Sequence, residues 1–125
     1  MIYPKKGDIV KADAEPHSGH EMGGHNPNKG NIRRHYVVMS TTAYNEATHM
    51  FIGMPITTSD KYQDNPRYKP ILIHGGNGDG VKGYVVLWQL QNFDFDSRNG
   101  KIVNHVSVQI LDKLQKFVND MVGSE

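Results

Sequence analysis

Apolar and polar positions alternate in short bursts along this chain. The runs Asp8 to Ala12, Tyr36 to Ser40, Met50 to Pro55, Pro70 to Ile73, Tyr84 to Trp88 and Lys101 to Val106 are rich in β-branched and aromatic residues, and Gly, Asn, Asp and Pro separate them. That is the pattern of strands joined by turns. Their brevity and density predict a small barrel or sandwich, not βαβ units. One segment has a helical period: Ile110, Leu111, Leu114, Phe117, Val118 and Met121 fall on one face, with Asp112, Lys113, Gln115, Lys116 and Asn119 on the other. Ser107 is placed to cap this helix and Gly123 to end it. A helix with a single apolar stripe must lay it on something, and the sheet is the available surface. Thr41 to Thr48 fits one further short helical turn. The polar stretches Glu15 to Ile32 and Ser59 to Lys69 are longer than most connections in a compact domain, which marks them as functional or disordered. The expectation is a mainly β, β-rich α+β fold in one domain over residues 1–125.

Composition narrows the function classes. A chain of 125 residues with 14 Lys and Arg against 13 Asp and Glu has a formal charge of +1, so any site for a polyanion must be local. There is no cysteine, which removes disulfides and thiolate metal sites and fits a reducing compartment. Met1 to Asp8 lacks the apolar core of a signal peptide, and no later run approaches the roughly 20 apolar residues of a membrane span. A soluble cytoplasmic protein is expected.

Two motifs lead away from chemistry. Gly78-Asp79-Gly80-Val81-Lys82-Gly83 has the spacing of a dinucleotide fingerprint, but the strand-like Tyr84-Val85-Val86-Leu87-Trp88 follows where a helix would have to open. It reads as a glycine-rich hairpin. His17, His20 and His25 cluster without a sulfur or carboxylate partner at zinc-site spacing, so they read as solvated or substrate-contacting groups, with no metal and no cofactor expected. His35, His49, His74 and His105 fall along strands and strand ends, where a structural histidine is the common outcome.

The informative residues run in a fixed order: Gly7-Asp8-Ile9-Val10, Pro16-His17-Ser18-Gly19-His20-Glu21, Arg33-Arg34-His35 leading Val37-Val38-Met39-Ser40, Tyr44-Asn45, and Pro55-Ile56-Thr57. In order and spacing this resembles the MazF/PemK toxin family over most of the first half. Gln89 through Asp94 to Arg98 and the terminal helix resemble it more loosely. The chain departs from the family in having His35 for the proline after the arginine, Met22 for the glutamine after the loop glutamate, a longer loop between Glu21 and Arg34, and Trp88 where an acid often precedes the late glutamine.

The resemblance implies a small SH3-like or PemK-type β-barrel carrying the C-terminal amphipathic helix, and a metal-independent, sequence-specific endoribonuclease of a type II toxin–antitoxin system. It makes Arg34 and Thr57 the catalytic pair, with His20 and Glu21 in the loop facing them. Arg34 is suited to bind the phosphate and its developing charge, Thr57 to hold the phosphorus in line, and Glu21 or His20 to take the 2′-hydroxyl proton. Products would be a 2′,3′-cyclic phosphate and a 5′-hydroxyl. Single-stranded RNA would be gripped by His17, Arg33, Lys61, Tyr62, Arg67 and Tyr68, with Lys69 beside them, through stacking and charge. A homodimer is implied, as are an antitoxin that lays an acidic, largely disordered tail into the RNA groove and DNA binding by the toxin–antitoxin complex. Two rival readings stay open: a toxin of similar fold that binds a protein such as DNA gyrase without catalysis, and a barrel that binds RNA and leaves it intact.

Overall fold

The computed structural model describes residues 2–14, 25–26 and 30–124. The chain forms β1 (Asp8–Asp13), a small hairpin of β2 (His25–Asn26) and β3 (Gly30–Asn31), β4 (Arg33–Val38), α1 (Thr42–Thr48), β5 (Met50–Thr57), β6 (Tyr68–Ile73), β7 (Val81–Val86), β8 (Gln91–Asp94), β9 (Lys101–His105) and α2 (Val108–Val122). The main sheet is antiparallel in the order β6-β7-β5-β4-β1-β9, with β8 also paired to β5.

Strand β5 organises the fold. It pairs along one edge with β4, while its other edge is shared: Met50 to Gly53 face β8, and Ile56 and Thr57 face β7. Pro55 sits between the two shared stretches. A proline has no amide to donate to a ladder, so this is the position where a partner change is cheapest.

Alternation along the strands separates two cores on opposite faces of the sheet. One contains Ile9, Val37, Met54, Ile56, Ile71, Val85 and Leu87, and is covered by α2 through the fully buried Leu114 with Ile110, Leu111 and Val118. The other contains Val10, Ala12, Tyr36, Val38, Phe51, Phe93 and Phe95. Its rings meet tilted or edge-on, as with Tyr36 and Phe93 at 4.5 Å and Phe51 and Phe95 at 6.2 Å and 80°, the geometry the ring quadrupoles favour.

The N-terminal segment is tied down by a buried amide. Asn45, with no solvent exposure, donates from Nδ2 to the carbonyls of Pro4 (2.8 Å) and Ser40 (3.3 Å). Its Oδ1 accepts from the Ser40 hydroxyl, whose oxygen accepts in turn from the Ile52 amide at 2.8 Å. Both helices are capped as their sequences suggest: Thr41 accepts from the Tyr44 amide and Ser107 from the Ile110 amide.

Several boundaries differ from expectation. Thr42–Thr48 makes nearly two helical turns rather than one. The strand expected at Tyr84 to Trp88 begins earlier, at Val81, and ends at Val86, because its partner β6 stops at Tyr68, opposite Val86. Leu87 and Trp88 therefore lie in a turn. Strand β8 was not anticipated, since Gln91-Asn92-Phe93-Asp94 carries too little apolar alternation to announce itself. The stretch Ser59 to Lys69 contains a 3-10 turn over Asp60–Tyr62, and β6 starts inside it. The apolar stripe of α2 is only partly covered: Phe117 and Met121 stay about 40% exposed and, with Leu87, Trp88 and Pro66, line an open groove of about 260 Å³. Gly78 to Gly80 lie in the β6–β7 hairpin connection and Val81 to Gly83 open β7, with no helix behind them.

Candidate active site

Arg34 stands on β4 and Thr57 at the end of β5. The β4–β5 register pairs His35 with Ile56 and Tyr36 with Pro55, so one step further along the ladder sets Arg34 across from Thr57. The same row continues on both sides: Ala12 pairs with Arg34, Thr57 with Tyr84, and Tyr84 with Pro70. Cross-strand neighbours share a face, and this is the face of the aromatic core. Phe51, Phe93 and Phe95 occupy its lower half. Tyr36, Gln89, Gln91, Arg34 and Thr57 make the upper half polar.

The polar half is buried and incompletely satisfied. Thr57 is 4% exposed, and its Oγ1 accepts from the Ser59 amide at 3.3 Å. Gln89 is 5% exposed. Gln91 donates from Nε2 to Gln89 Oε1 at 3.2 Å. Arg34 Nε and Gln91 Oε1 are buried with no hydrogen-bond partner among the described residues. Leaving such atoms unpaired costs about 1–3 kcal/mol each, and groups kept in that condition mark places where a ligand completes the pairing.

Beyond Thr57 the row opens into a cleft of about 590 Å³ lined by Thr58, Asp60, Pro70, Leu72, Lys82 and Tyr84. The Tyr84 hydroxyl donates to Asp60 Oδ1 at 3.2 Å. Desolvation, and then the bond to Asp60, raise the Tyr84 phenol above its ordinary range, so it remains a proton donor that fixes the start of the Asp60 turn. On the opposite face, burial lowers His35, Lys11 adds to the shift, and Asp79 opposes it. His35 is neutral at pH 7 and turned away from the Arg34 row by the alternation of β4.

The other expected site residues fare differently. His17, His20 and Glu21 lie outside the described residues. Arg33 has a structural occupation: its Nη1 pairs with Asp13 Oδ1 at 2.8 Å, while Nη2 donates to the Asn99 carbonyl at 2.8 Å and the Lys11 carbonyl at 3.2 Å. Asp13 is almost fully buried and also accepts from Asn99 Nδ2 at 2.7 Å, so removing this cation would take the charge partner from a buried carboxylate. Tyr62 and Tyr68 stack on each other at 4.0 Å and 11°, and Lys61 Nζ lies 4.9 Å from the Tyr62 ring centre. They were expected to be open platforms for bases. Instead each gives one ring face to the other, and Tyr68 is only 9% exposed. Arg67 is on the rim of a shallow, mixed-charge depression with Asp60, Lys61 and Asp64. Trp88, standing where an acid was anticipated, points to the α2 groove with Phe117 and Met121, so the indole does not fill the Arg34 row. Gln91 and Tyr84 were not singled out from the sequence, since nothing local separates them from ordinary strand residues.

No three His, Asp or Glu side chains among the described residues come together as a metal site, and no helix among them is long and apolar enough to cross a membrane. The fold and the Arg34–Thr57 pair define a small curled β-sheet protein with a polar face suited to a phosphodiester. Residues 5–122 match the PemK-like, MazF-like toxin of type II toxin-antitoxin system, and the chain belongs to this family. It is 26% identical over 120 residues to the endoribonuclease toxin MazF of Escherichia coli strain K12, covering 96% of this chain and 95% of that relative. Its fold is similar to MazF from Deinococcus radiodurans (TM-score 0.78, 24% identity, 99% of this chain and all of that one). It is also similar to an endoribonuclease in complex with its cognate antitoxin from a mycobacterial species (TM-score 0.66, 18% identity, 100% and 98% covered).

Proposed function

We propose that this chain, as one domain over residues 1–125, is the toxin of a type II pair: a cytoplasmic, metal-independent, sequence-specific endoribonuclease that acts on single-stranded RNA as a homodimer and is silenced by an antitoxin. The observation that carries the reading is the β4–β5 register, which sets Arg34 across from Thr57, with Arg34 Nε a buried donor that has no partner among the described residues. Family membership and the endoribonuclease relatives support it.

In this scheme a base takes the proton of the ribose 2′-hydroxyl, and the 2′-oxygen attacks phosphorus. The P–O5′ bond breaks, and the departing 5′-oxygen receives a proton, leaving a 2′,3′-cyclic phosphate and a 5′-hydroxyl. Charge accumulates on the non-bridging oxygens in the transition state, where the planar Arg34 guanidinium binds two of them or one of them and the leaving oxygen. Thr57, held by the Ser59 amide, donates its hydroxyl proton to another phosphate oxygen and fixes the in-line geometry. Among the described residues on this row Tyr84 is a donor, so the base is assigned to Glu21 or His20. Lys61 and Arg67 supply cationic rim to the RNA path beside Tyr62, with His17 from the preceding loop. DNA, lacking the 2′-hydroxyl, is not cut.

The test is incubation of purified, antitoxin-free protein with a long single-stranded RNA in EDTA, with the new 5′ ends mapped and Arg34→Ala run in parallel. Discrete cuts with 5′-hydroxyl ends that vanish in the variant are expected. Intact RNA in both lanes from folded protein would move the reading to a gyrase-binding or RNA-binding toxin.

A further inference from the structure

Gln91 sits on the same face as Arg34 but away from the scissile position. It pairs with Gly53 on β5, four residues from Thr57, or ~13 Å along the strand at ~3.4 Å per residue. That is beyond hydrogen-bond reach of a phosphate held by Arg34 and Thr57, and within reach of a neighbouring base. Gly53 presents no side chain between them.

The carboxamide is also oriented. One Nε2 hydrogen of Gln91 goes to Gln89 Oε1, and Gln89 is itself buried, which leaves Oε1 as an acceptor with no partner among the described residues and the second Nε2 hydrogen beside it. An acceptor next to a donor on one rigid amide is the arrangement that reads a base edge. Because one Nε2 hydrogen is already held by Gln89, what the carboxamide still lacks among the described residues is a donor to the buried Oε1. An exocyclic amine donates to that oxygen, whereas an exocyclic carbonyl would set two lone-pair oxygens against each other.

We propose that Gln91 is a specificity-determining residue of the RNA site, selecting a base with an amino group where guanine and uracil carry the 6- or 4-carbonyl, that is adenine or cytosine, at one position next to the cut. The inference rests on the ribonuclease reading above. Gln91 is only part-buried as a residue, and its terminal torsion is soft, so a small rotation brings the acceptor to an incoming base.

The experiment maps cut sites on a long RNA of mixed sequence for the unsubstituted protein, Gln91→Met and Gln91→Glu, with thermal unfolding run on all three. Expected is a position near the cut occupied by A or C in the parent, a preference reduced about tenfold in Gln91→Met, and retained in Gln91→Glu, which keeps the acceptor. An unchanged base preference in Gln91→Met, or a parent with no A- or C-selective position near its cuts, overturns the proposal. A merely structural Gln91 would move the melting temperature and leave the cut-site sequence as it was. A parent protein that leaves all RNA intact sinks the ribonuclease reading instead, and Gln91 with it.

Discussion

Arg34→Met separates a residue kept for chemistry from one kept for the fold. Arg34 Nε is a buried donor without a partner among the described residues, a condition worth about 1–3 kcal/mol of lost stability. Because the residue as a whole is only part-buried, the lower half of that range applies. Methionine preserves the unbranched stem that packs beside Ala12 and Thr57, so the packing change is small. The variant should therefore gain about 1 kcal/mol, a rise in melting temperature of roughly 3–6 °C for a domain of this size. Cleavage should move the other way. Loss of the group that meets the developing charge removes about 3–4 kcal/mol of transition-state binding, a fall in kcat/KM of at least about 10²–10³. Opposite signs on stability and activity are the mark of a site residue. The assay is thermal and urea unfolding of both proteins at pH 7, beside cleavage of a short RNA containing one mapped site. A variant that is destabilised by more than about 1 kcal/mol would refute the reasoning, because Arg34 would then be holding the sheet together.

Further outcomes follow from other contacts. Thr57→Val should cut roughly a hundredfold more slowly while Thr57→Ser retains most activity, since only the hydroxyl is needed; equal rates for Val and Ser would remove Thr57 from the mechanism. Asn45→Ala strands the Pro4 carbonyl and the Ser40 hydroxyl in a buried site, for a loss of about 3 kcal/mol, or close to 10 °C in melting temperature, read by differential scanning fluorimetry. Gly83→Ala places a methyl 2.5 Å from the Thr57 carbonyl oxygen, which must push β7 off β5; a loss of about 3 kcal/mol is expected, and a stability within 0.5 kcal/mol of the parent, on the order of surface substitutions, would contradict it. His35 is lowered by burial and Lys11, so its folded value lies below the unfolded ~6.5. Between those values the unfolded chain holds the extra proton, and stability, full above about pH 6.5, falls as pH drops through that window. Urea titrations from pH 8 to 5 should show this slope, and His35→Gln should flatten it; an identical slope in the variant would exonerate His35.

Some of the candidate site was legible in local residue order. Arg34 before a valine-rich strand and Thr57 at the end of another are local features, and each stands where the pattern put it. Gln91 was not legible, because nothing distinguishes a carboxamide in Gln91-Asn92-Phe93-Asp94 from a solvated one until the strand is laid against Gly53. Arg33 and Arg34 are adjacent and identical in type, yet one is spent on Asp13 and Asn99 and the other faces the aromatic core. Family resemblance singled out Arg34, but the local sequence does not show that Arg33 is tied to Asp13.

What the amino-acid order determined by itself was most of the elements: six strands from two-residue alternation, α2 from its 3.6-residue period, its cap at Ser107, and a hairpin at the Gly78–Gly83 run. These signals act over a few residues and need no knowledge of partners. Only the tertiary structure decided that Ala12, Arg34, Thr57, Tyr84 and Pro70 form one row, that Trp88 turns to the α2 groove and Gln89 stays buried, and that Tyr62 and Tyr68 spend ring faces on each other. Each depends on register between strands distant in sequence. A shift of one residue would send Arg34 and Thr57 to opposite faces, and that register is set by the summed burial of two cores on either side of β5 rather than by any residue near Arg34.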